Sequence, residues 1–445
     1  MSHYKAYPEY KESGAEFIWN IPKDWELKRL RHVAIFNNSN VDKKSYEDQA
    51  DVKLCNYTDV YYNEFITPDL EFMNATANES EIDKFRLAEG DVIITKDSED
   101  PNDIGIPALV KQDMHDVVCG YHLTVIKSHE FDLSGFIHRS IQSHPTKAHF
   151  FVESPGITRY GLDQDAIGDI PVCIPPKEHR STIVSAINTE INRINTLITK
   201  KTRFIELLKE KRQALITHAV TKGLNPDVKM KDSGVEWIGE VPYSWSVKKL
   251  KFIARSIIGL TYSPDDVVSD GSGTLVLRSS NIQNGQLSLK DCVRVNREIP
   301  KHLSVCLGDI LICSRNGSRD LIGKNIQLDS RTEGASFGAF MTVIRGSIND
   351  FLYYVFNSSM FEAQSDLFMT STVNQLTISM LDNMKVAIPE EAELTNIVSH
   401  LRQQTYRIDT LITKTQESIA LLKERRSAFI TAAVTGQIDL RGDPV

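Results

Sequence analysis

The sequence predicts an α+β fold written twice. Two globular domains are each followed by a long helix, the halves form an internal pseudo-twofold repeat, and the helices pair as an antiparallel coiled coil. Three observations carry this expectation. "YKESGAEFIWNIPKDWELKRL" (10–30) returns as "MKDSGVEWIGEVPYSWSVKKL" (230–250). A heptad-patterned stretch closes each half. The segments between hold short runs rich in Val, Ile and Thr, broken by Gly, Ser and Asn, which is how strands and their loops read.

The opening echo is specific. Lys11, Ser13, Gly14, Glu16, Ile18, Pro22, Trp25, Lys28, Leu30 and Ala34 all recur at an offset of 220, ten identities in 25 positions. Beyond it the likeness fades, although "EGDVIIT" (89–95) still aligns with "LGDILIC" (307–313), and the "TVI" at 124 with that at 342. In the middles, "DVIITK", "HLTVIK", "GTLVLRSSNI", "DILICSR" and "FMTVIRG" read as strands, and "LYYVFNSSMFEAQSDLF" (352–368) has helical spacing.

The closing stretches, 193–223 and 407–437, repeat at an offset of 214. Ile187, Ile191, Ile194, Ile198, Ile205, Leu208 and Leu215 follow alternating steps of four and three, and Leu401, Ile408, Ile412, Ile419, Leu422 and Phe429 keep the frame. Arg426 answers Arg212. Pro175-Pro176 and Pro389 precede the helices, and Gly223 and Gly436 follow them, as start and stop signals. Helices of about 45 residues would each reach roughly 67 Å. Pairing with each other buries their apolar seams best; the plainer alternative packs each on its own globule. The expected boundaries are 1–174 for the first globule, 175–224 for the first spacer helix, 225–388 for the second globule, and 389–445 for the second helix with the C-terminal tail.

Composition narrows the class. At 445 residues, 41% hydrophobic and 25% charged, the chain reads as an ordinary soluble protein of several domains. The first residues form no apolar signal-peptide core, and no run approaches the roughly 20 apolar residues of a membrane helix. Six cysteines without metal-ligand spacing fit a reduced, cytoplasmic setting. The net charge of -8 is uneven. Residues 1–175 carry -13, residues 176–226 carry +6, residues 227–388 balance, and the remainder carries -1.

Motifs for chemistry fall short. In "GSRDLIGKN" (317–325) five residues separate Gly317 from Gly323 where a phosphate loop needs four, and Asn325 replaces its Ser or Thr. "CIPPKE" (173–178) puts Ile174 and Lys177 where an amino-methyltransferase needs a polar acceptor and an aromatic. No metal-dependent nuclease core and no metal site are discernible, so no catalytic residue is expected.

The paired "SGxExIxxxPxxWxxKxL" openings, the divergent middles and the heptad helices ending "LLKExRxAxITxAVT" together resemble the specificity subunits of type I restriction–modification systems, over essentially the whole chain. The resemblance implies that each middle is a target recognition domain reading one half of a bipartite site in double-stranded DNA. It implies that the helices set the spacing and dock two adenine methyltransferase subunits, with restriction subunits as further partners. S-adenosylmethionine would belong to the methyltransferase, ATP and Mg to a restriction subunit, and no cofactor to this chain. The alternative from another class is a coiled-coil scaffold whose two globules bind proteins, which the acidic first half favours.

Base readout favours Arg, Lys, Asn, Gln, Ser and Thr on loops. In the second globule Arg315, Asn316, Ser318, Arg319 and Lys324 follow a strand, and the matching loop of the first offers Lys96 and Ser98. Just before the long helices stand Thr158, Arg159 and Tyr160 in one half, and Asn374 and Gln375 in the other. These are the candidate DNA-binding residues; the plainer reading is solvated turns. Trp25, Trp245, Pro22 and Pro242 are candidates for anchoring the globules or docking a partner, as are Arg212 and Arg426.

Overall fold

The chain is α+β. The computed structural model describes residues 4–283, 285–368 and 375–442, and divides into two units, Met1–Lys201 with Glu417–Val445 and Thr202–Gln416. Each unit holds one globule together with part of both long helices, Lys177–Lys222 and Glu391–Val434. Among the described residues no helix is long and apolar enough to cross a membrane.

In the first unit Tyr10–Ala15 and Ile18–Pro22 form a hairpin, and Glu26–Arg29 pairs antiparallel with Pro171–Ile174, Arg29 opposite Pro171. The chain therefore leaves the globule beside the strand on which it entered. Between these strands lies a five-stranded sheet in the order Ala34–Asn38, Leu123–Ser128, Val92–Thr95, Pro107–Val110, Phe65–Ile66, with a three-stranded sheet built around Ala50–Cys55.

The second unit follows the same plan in its own sequence. Met230–Asp232 pairs with Glu240–Pro242, and Ser246–Lys249 with Lys385–Ile388, Lys249 opposite Lys385. Its central sheet runs Ala254–Ile258, Met341–Gly346, Ile310–Cys313, Asn325–Gln327. The buried strands Val92–Thr95 and Ile310–Cys313 are apolar on both faces, as central strands covered on both sides must be.

One aspartate anchors each central strand. Asp91 accepts from the Ala88 amide at 2.9 Å and pairs with Lys127 at 2.8 Å; Asp309 accepts from the Cys306 amide at 2.8 Å and pairs with Arg345 at 2.6 Å. Burial pushes the Asp91 carboxyl up, against the pull of Lys127. The helical spacing over 352–368 resolves into two helices, Asn349–Phe356 and Ser359–Phe368. Asn357 breaks the run because its side-chain amide donates to Tyr353 O and Asn325 Oδ1, both at 2.8 Å, offering the backbone a competitor to the next helical turn.

The heptad residues of the long helices face inward: Ile187, Ile191, Ile194, Ile205, Leu208, Leu401, Ile408 and Phe429 are buried, and the others partly so. In the first unit Ile183, Ile187 and Ile191 share a core with Phe429, Ile430 and Ala433; in the second, Ile216 and Val220 share one with Ile397 and Leu401. Trp25 and Trp245 sit fully buried in these cores. Trp25 meets Tyr7 and Phe136 edge-on, with ring centres 5.7 and 5.8 Å apart, and Trp245 Nε1 donates to Glu393 Oε2 at 2.8 Å. Pro22 and Pro242 are buried beside them.

The helix arginines are engaged within their own units. Arg212 Nε and Nη2 donate to the two oxygens of Asp409 at 2.9 and 3.4 Å. Arg426 Nη2 donates to Glu64 Oε2 at 2.6 Å, and Glu64 also pairs with Arg139, whose side chain is 2% exposed. Burial lowers the Arg139 pKa despite Glu64, and drives the adjacent buried His138 well below its ordinary value. Glu64 thus holds two guanidiniums, one deeply desolvated.

Two expectations follow from this packing. Glu64→Gln should destabilise the chain by roughly 3 kcal/mol, because it strands a buried guanidinium. Asp409→Asn should cost under about 1 kcal/mol, since that pair is half-exposed; denaturant unfolding of both variants checks the order. Gly436 closes the second helix at φ +68°, where an added Cβ would lie 2.3 Å from Pro22 Cδ, whereas Gly234, at φ +69°, has open space. Gly234→Ala should therefore lose on the order of 1 kcal/mol to strain alone, and Gly436→Ala clearly more; thermal unfolding reads the difference.

Candidate nucleic-acid interface

In each unit the loop leaving the buried central strand is tied to the loop that precedes the closing strand. Lys96 N donates to His122 O at 3.0 Å, and the next residues pair with the later loop, Asp97 opposite Gly161 and Ser98 opposite Tyr160. In the second unit Ser314 N donates to Phe340 O at 3.0 Å, Arg315 bridges Gln375, and Leu376 N donates to Ser314 O at 2.8 Å. Candidate loops some 60 residues apart in sequence therefore share one end of each globule.

The first cluster is rich in rings and carboxylates. Lys96 Nζ lies 4.9 Å from the centre of the Tyr121 ring, and Ser98 Oγ accepts from the Asp100 amide at 3.1 Å. Arg159 Nη2 donates to Asp97 Oδ2 at 3.4 Å and stands 3.0 Å from His122 Nδ1, whose N–H is turned to the same Asp97 carboxylate. Thr158 is exposed; Tyr160 is half-buried, its hydroxyl 3.5 Å from Ile157 O. Tyr61 donates to Asp103, and that hydrogen bond, with the carboxylate's charge, pushes the Tyr61 hydroxyl up to about 12; Tyr57 stacks on Tyr61 at 5.6 Å. Two acids of the 97–103 loop are thus held by neighbours in their own unit: Asp97 by His122 and Arg159, Asp103 by Tyr61.

The second cluster is cationic. The Arg315 guanidinium carbon stands 5.3 Å from the centre of the Phe340 ring, and both residues are exposed. Asn316 Nδ2 donates to Ser279 Oγ at 3.3 Å, and its Oδ1 accepts from the Ser318 amide at 3.1 Å. Ser318 and Arg319 are exposed at the turn Arg319–Leu321. Lys324 is half-buried, its carbonyl accepting from Cys313 N at 2.8 Å within the sheet, so its backbone serves the frame. Gln375 is half-buried beside Arg315, and Asn374 lies outside the described residues.

Asp97, His122 and Phe340 escaped the reading of the sequence. The signal was available, since His122 and Phe340 each stand two residues before a repeated "TVI". Trp25, Trp245, Pro22, Pro242, Arg212 and Arg426 lie away from these loops, in the cores and on the helices.

Residues 22–207 match the family described as the type I restriction modification DNA specificity domain. The specificity subunits of the type I restriction enzymes EcoKI, from Escherichia coli K12, and StySPI, from Salmonella potsdam, are each 26% identical over 207 residues. Those matches cover 45% of this chain and 44% of each relative, less than half their length. Among solved structures, a chain from work on complex assembly and conformational transition of the type I R-M system superposes with a TM-score of 0.70 at 16% identity, covering 94% of this chain and 99% of that one. The HsdS subunit from Thermoanaerobacter tengcongensis gives a TM-score of 0.51 at 16% identity, covering 94% and 98%. Residues 22–207 are thus similar to the type I restriction modification DNA specificity domain, and the chain as a whole shares the fold of the HsdS subunit structure.

Proposed function

We propose that this chain is the sequence-reading, non-catalytic subunit of a type I restriction–modification complex. Each globule reads one half of a bipartite site in double-stranded DNA, through Lys96, Ser98, Thr158, Arg159 and Tyr160 in the first and Arg315, Asn316, Ser318, Arg319, Lys324, Asn374 and Gln375 in the second. The single observation that supports this best is the joining of the two candidate loops at one end of each globule, through the 97–161 and 315–375 pairings. Base edges are read by such side chains on rigidly mounted loops.

The chain would dock two adenine methyltransferase subunits, and restriction subunits where the system has them. S-adenosylmethionine would sit in the methyltransferase, and ATP and Mg in the restriction subunit. The long helices would pair as an antiparallel coiled coil and set the gap between half-sites, with 1–174 and 225–388 as the recognition domains and 175–224 and 389–445 as the spacers. A charge of -13 over residues 1–175 suits a division of labour. Partner subunits would supply most phosphate contacts, and this chain mainly the base contacts.

Methylated adenines mapped genome-wide, in cells carrying the chain with its methyltransferase partner, test this directly. A bipartite motif is expected; a protein-binding scaffold would give no sequence preference. Arg315→Ala should weaken discrimination in one half only, by roughly 1–3 kcal/mol at one base pair. Uniform weakening would assign Arg315 to a phosphate. Inserting four residues after Lys200 adds about 6 Å of helix, close to two base pairs, and turns the heptad frame. Any active variant should keep both half-sites and prefer a longer gap. Activity confined to the original gap would refute the helices as spacers.

A further inference from the structure

The two units mount different chemistry on one backbone device. At the end of each buried central strand, one residue faces the later loop and a second stands opposite it on the neighbouring strand's approach. These are Asp97 and His122 in the first unit, Arg315 and Phe340 in the second. Both pairs are related by the offset of 218 that aligns the two central strands, and the amide just before the first member donates to the carbonyl of the second at 3.0 Å in each case. An acid and an imidazole thus occupy the positions of a guanidinium and a phenyl ring.

What the pairs share is an exposed arginine. Arg159 Nη2 donates to Asp97 Oδ2 at 3.4 Å, and His122 Nδ1 fixes that carboxylate in turn, while the arginine side chain stays 60% exposed. Arg315 lies over the face of Phe340, a ring that is itself 59% exposed. A surface arginine ordinarily samples many rotamers, and a flanking ring or carboxylate narrows them before any ligand arrives. Arginine has only donors to offer, in a planar fork. Among the major-groove edges guanine alone presents two adjacent acceptors, O6 and N7; adenine sets an amino group beside its N7, which would face the fork donor to donor.

We propose that Arg159 and Arg315 each read one guanine, one in each half-site, and that Asp97 with His122, and Phe340, are the positioning residues that orient them. This rests on the reading that both globules contact bases. The pairs are where the two readers are specified separately within a common frame. In the first the orienting group is a carboxylate, itself held by an imidazole, and it fixes the guanidinium through a charged hydrogen bond. In the second it is a π face, which fixes the plane and leaves every N–H of the fork outside the orienting contact.

The assembled complex of the full chain with its methyltransferase partner is assayed by methylome mapping, then on duplexes in which single base pairs are varied. The wild-type motif should contain a guanine contacted in each half. Phe340→Leu should lower the preference for guanine over adenine at one position of one half by on the order of tenfold, leaving the other half unchanged, and Phe340→Tyr should keep it. His122→Ala and Asp97→Asn should do the same at one position of the opposite half. Phe340 is exposed, so the leucine variant tests orientation and not folding; equal thermal midpoints check this. A wild-type map with no bipartite motif would overturn both this assignment and the DNA-reading beneath it. A bipartite motif lacking guanine in either half would overturn the assignment alone, as would Phe340→Leu that changes nothing or depresses all sequences equally.

Discussion

Everything in each globule depends on one pair of strands. Glu26–Arg29 receives Pro171–Ile174, and Ser246–Lys249 receives Lys385–Ile388, so the chain leaves each globule beside the point where it came in. The closing strand then runs straight into a long helix, and in the second unit the fully buried Trp245 of the opening repeat donates to Glu393 in the first turn of that helix. Fixing both ends in one place makes the intervening 140 or so residues a closed loop with respect to the helices. Their loops can then change without moving the frame. That is the physical reason a sequence can keep its edges twice over while its middles drift apart.

Inside the loop a smaller frame is kept as well. The aspartates of "EGDVIIT" and "LGDILIC" turn the chain into the central strand and take a cation from the adjacent strand, Lys127 in one unit and Arg345 in the other. A buried carboxylate is costly unless it is both hydrogen-bonded and paired, and each of these is both. Past the strand end that demand vanishes. There Asp97 with His122 and Arg315 with Phe340 occupy like positions with unlike chemistry. The border between the two behaviours falls within six residues of sequence, between Asp91 and Asp97 and between Asp309 and Arg315.

Much of this could be read from the residues. The repeats stand in plain view, and steps of three and four with proline and glycine punctuation announce long helices, because burial of one stripe is a local pattern. The pairing of Asp97 with Gly161 and of Arg315 with Gln375 could not be read. Two-residue strands have no periodicity, and their partners are set by how the whole sheet folds. For the same reason the partners of Arg212 and Arg426 stayed hidden. Both sit at equivalent heptad positions, yet one takes Asp409 on a helix and the other Glu64 on the globule. The break at Asn357 was missed because helical spacing continues through it and only the side-chain hydrogen bonds reveal the competitor.

The claim that a fixed frame carries an exchangeable reader is tested most directly by grafting. Residues 250–384 would replace residues 30–170, joining at the paired strands so that Arg29 still meets Pro171, as Lys249 meets Lys385 in the donor globule. Methylated adenines would then be mapped in cells carrying the chimera and its methyltransferase partner. The frame predicts a bipartite motif in which the second half-site sequence appears in both halves. A chimera that folds and still marks the parent's two different half-sites would contradict it.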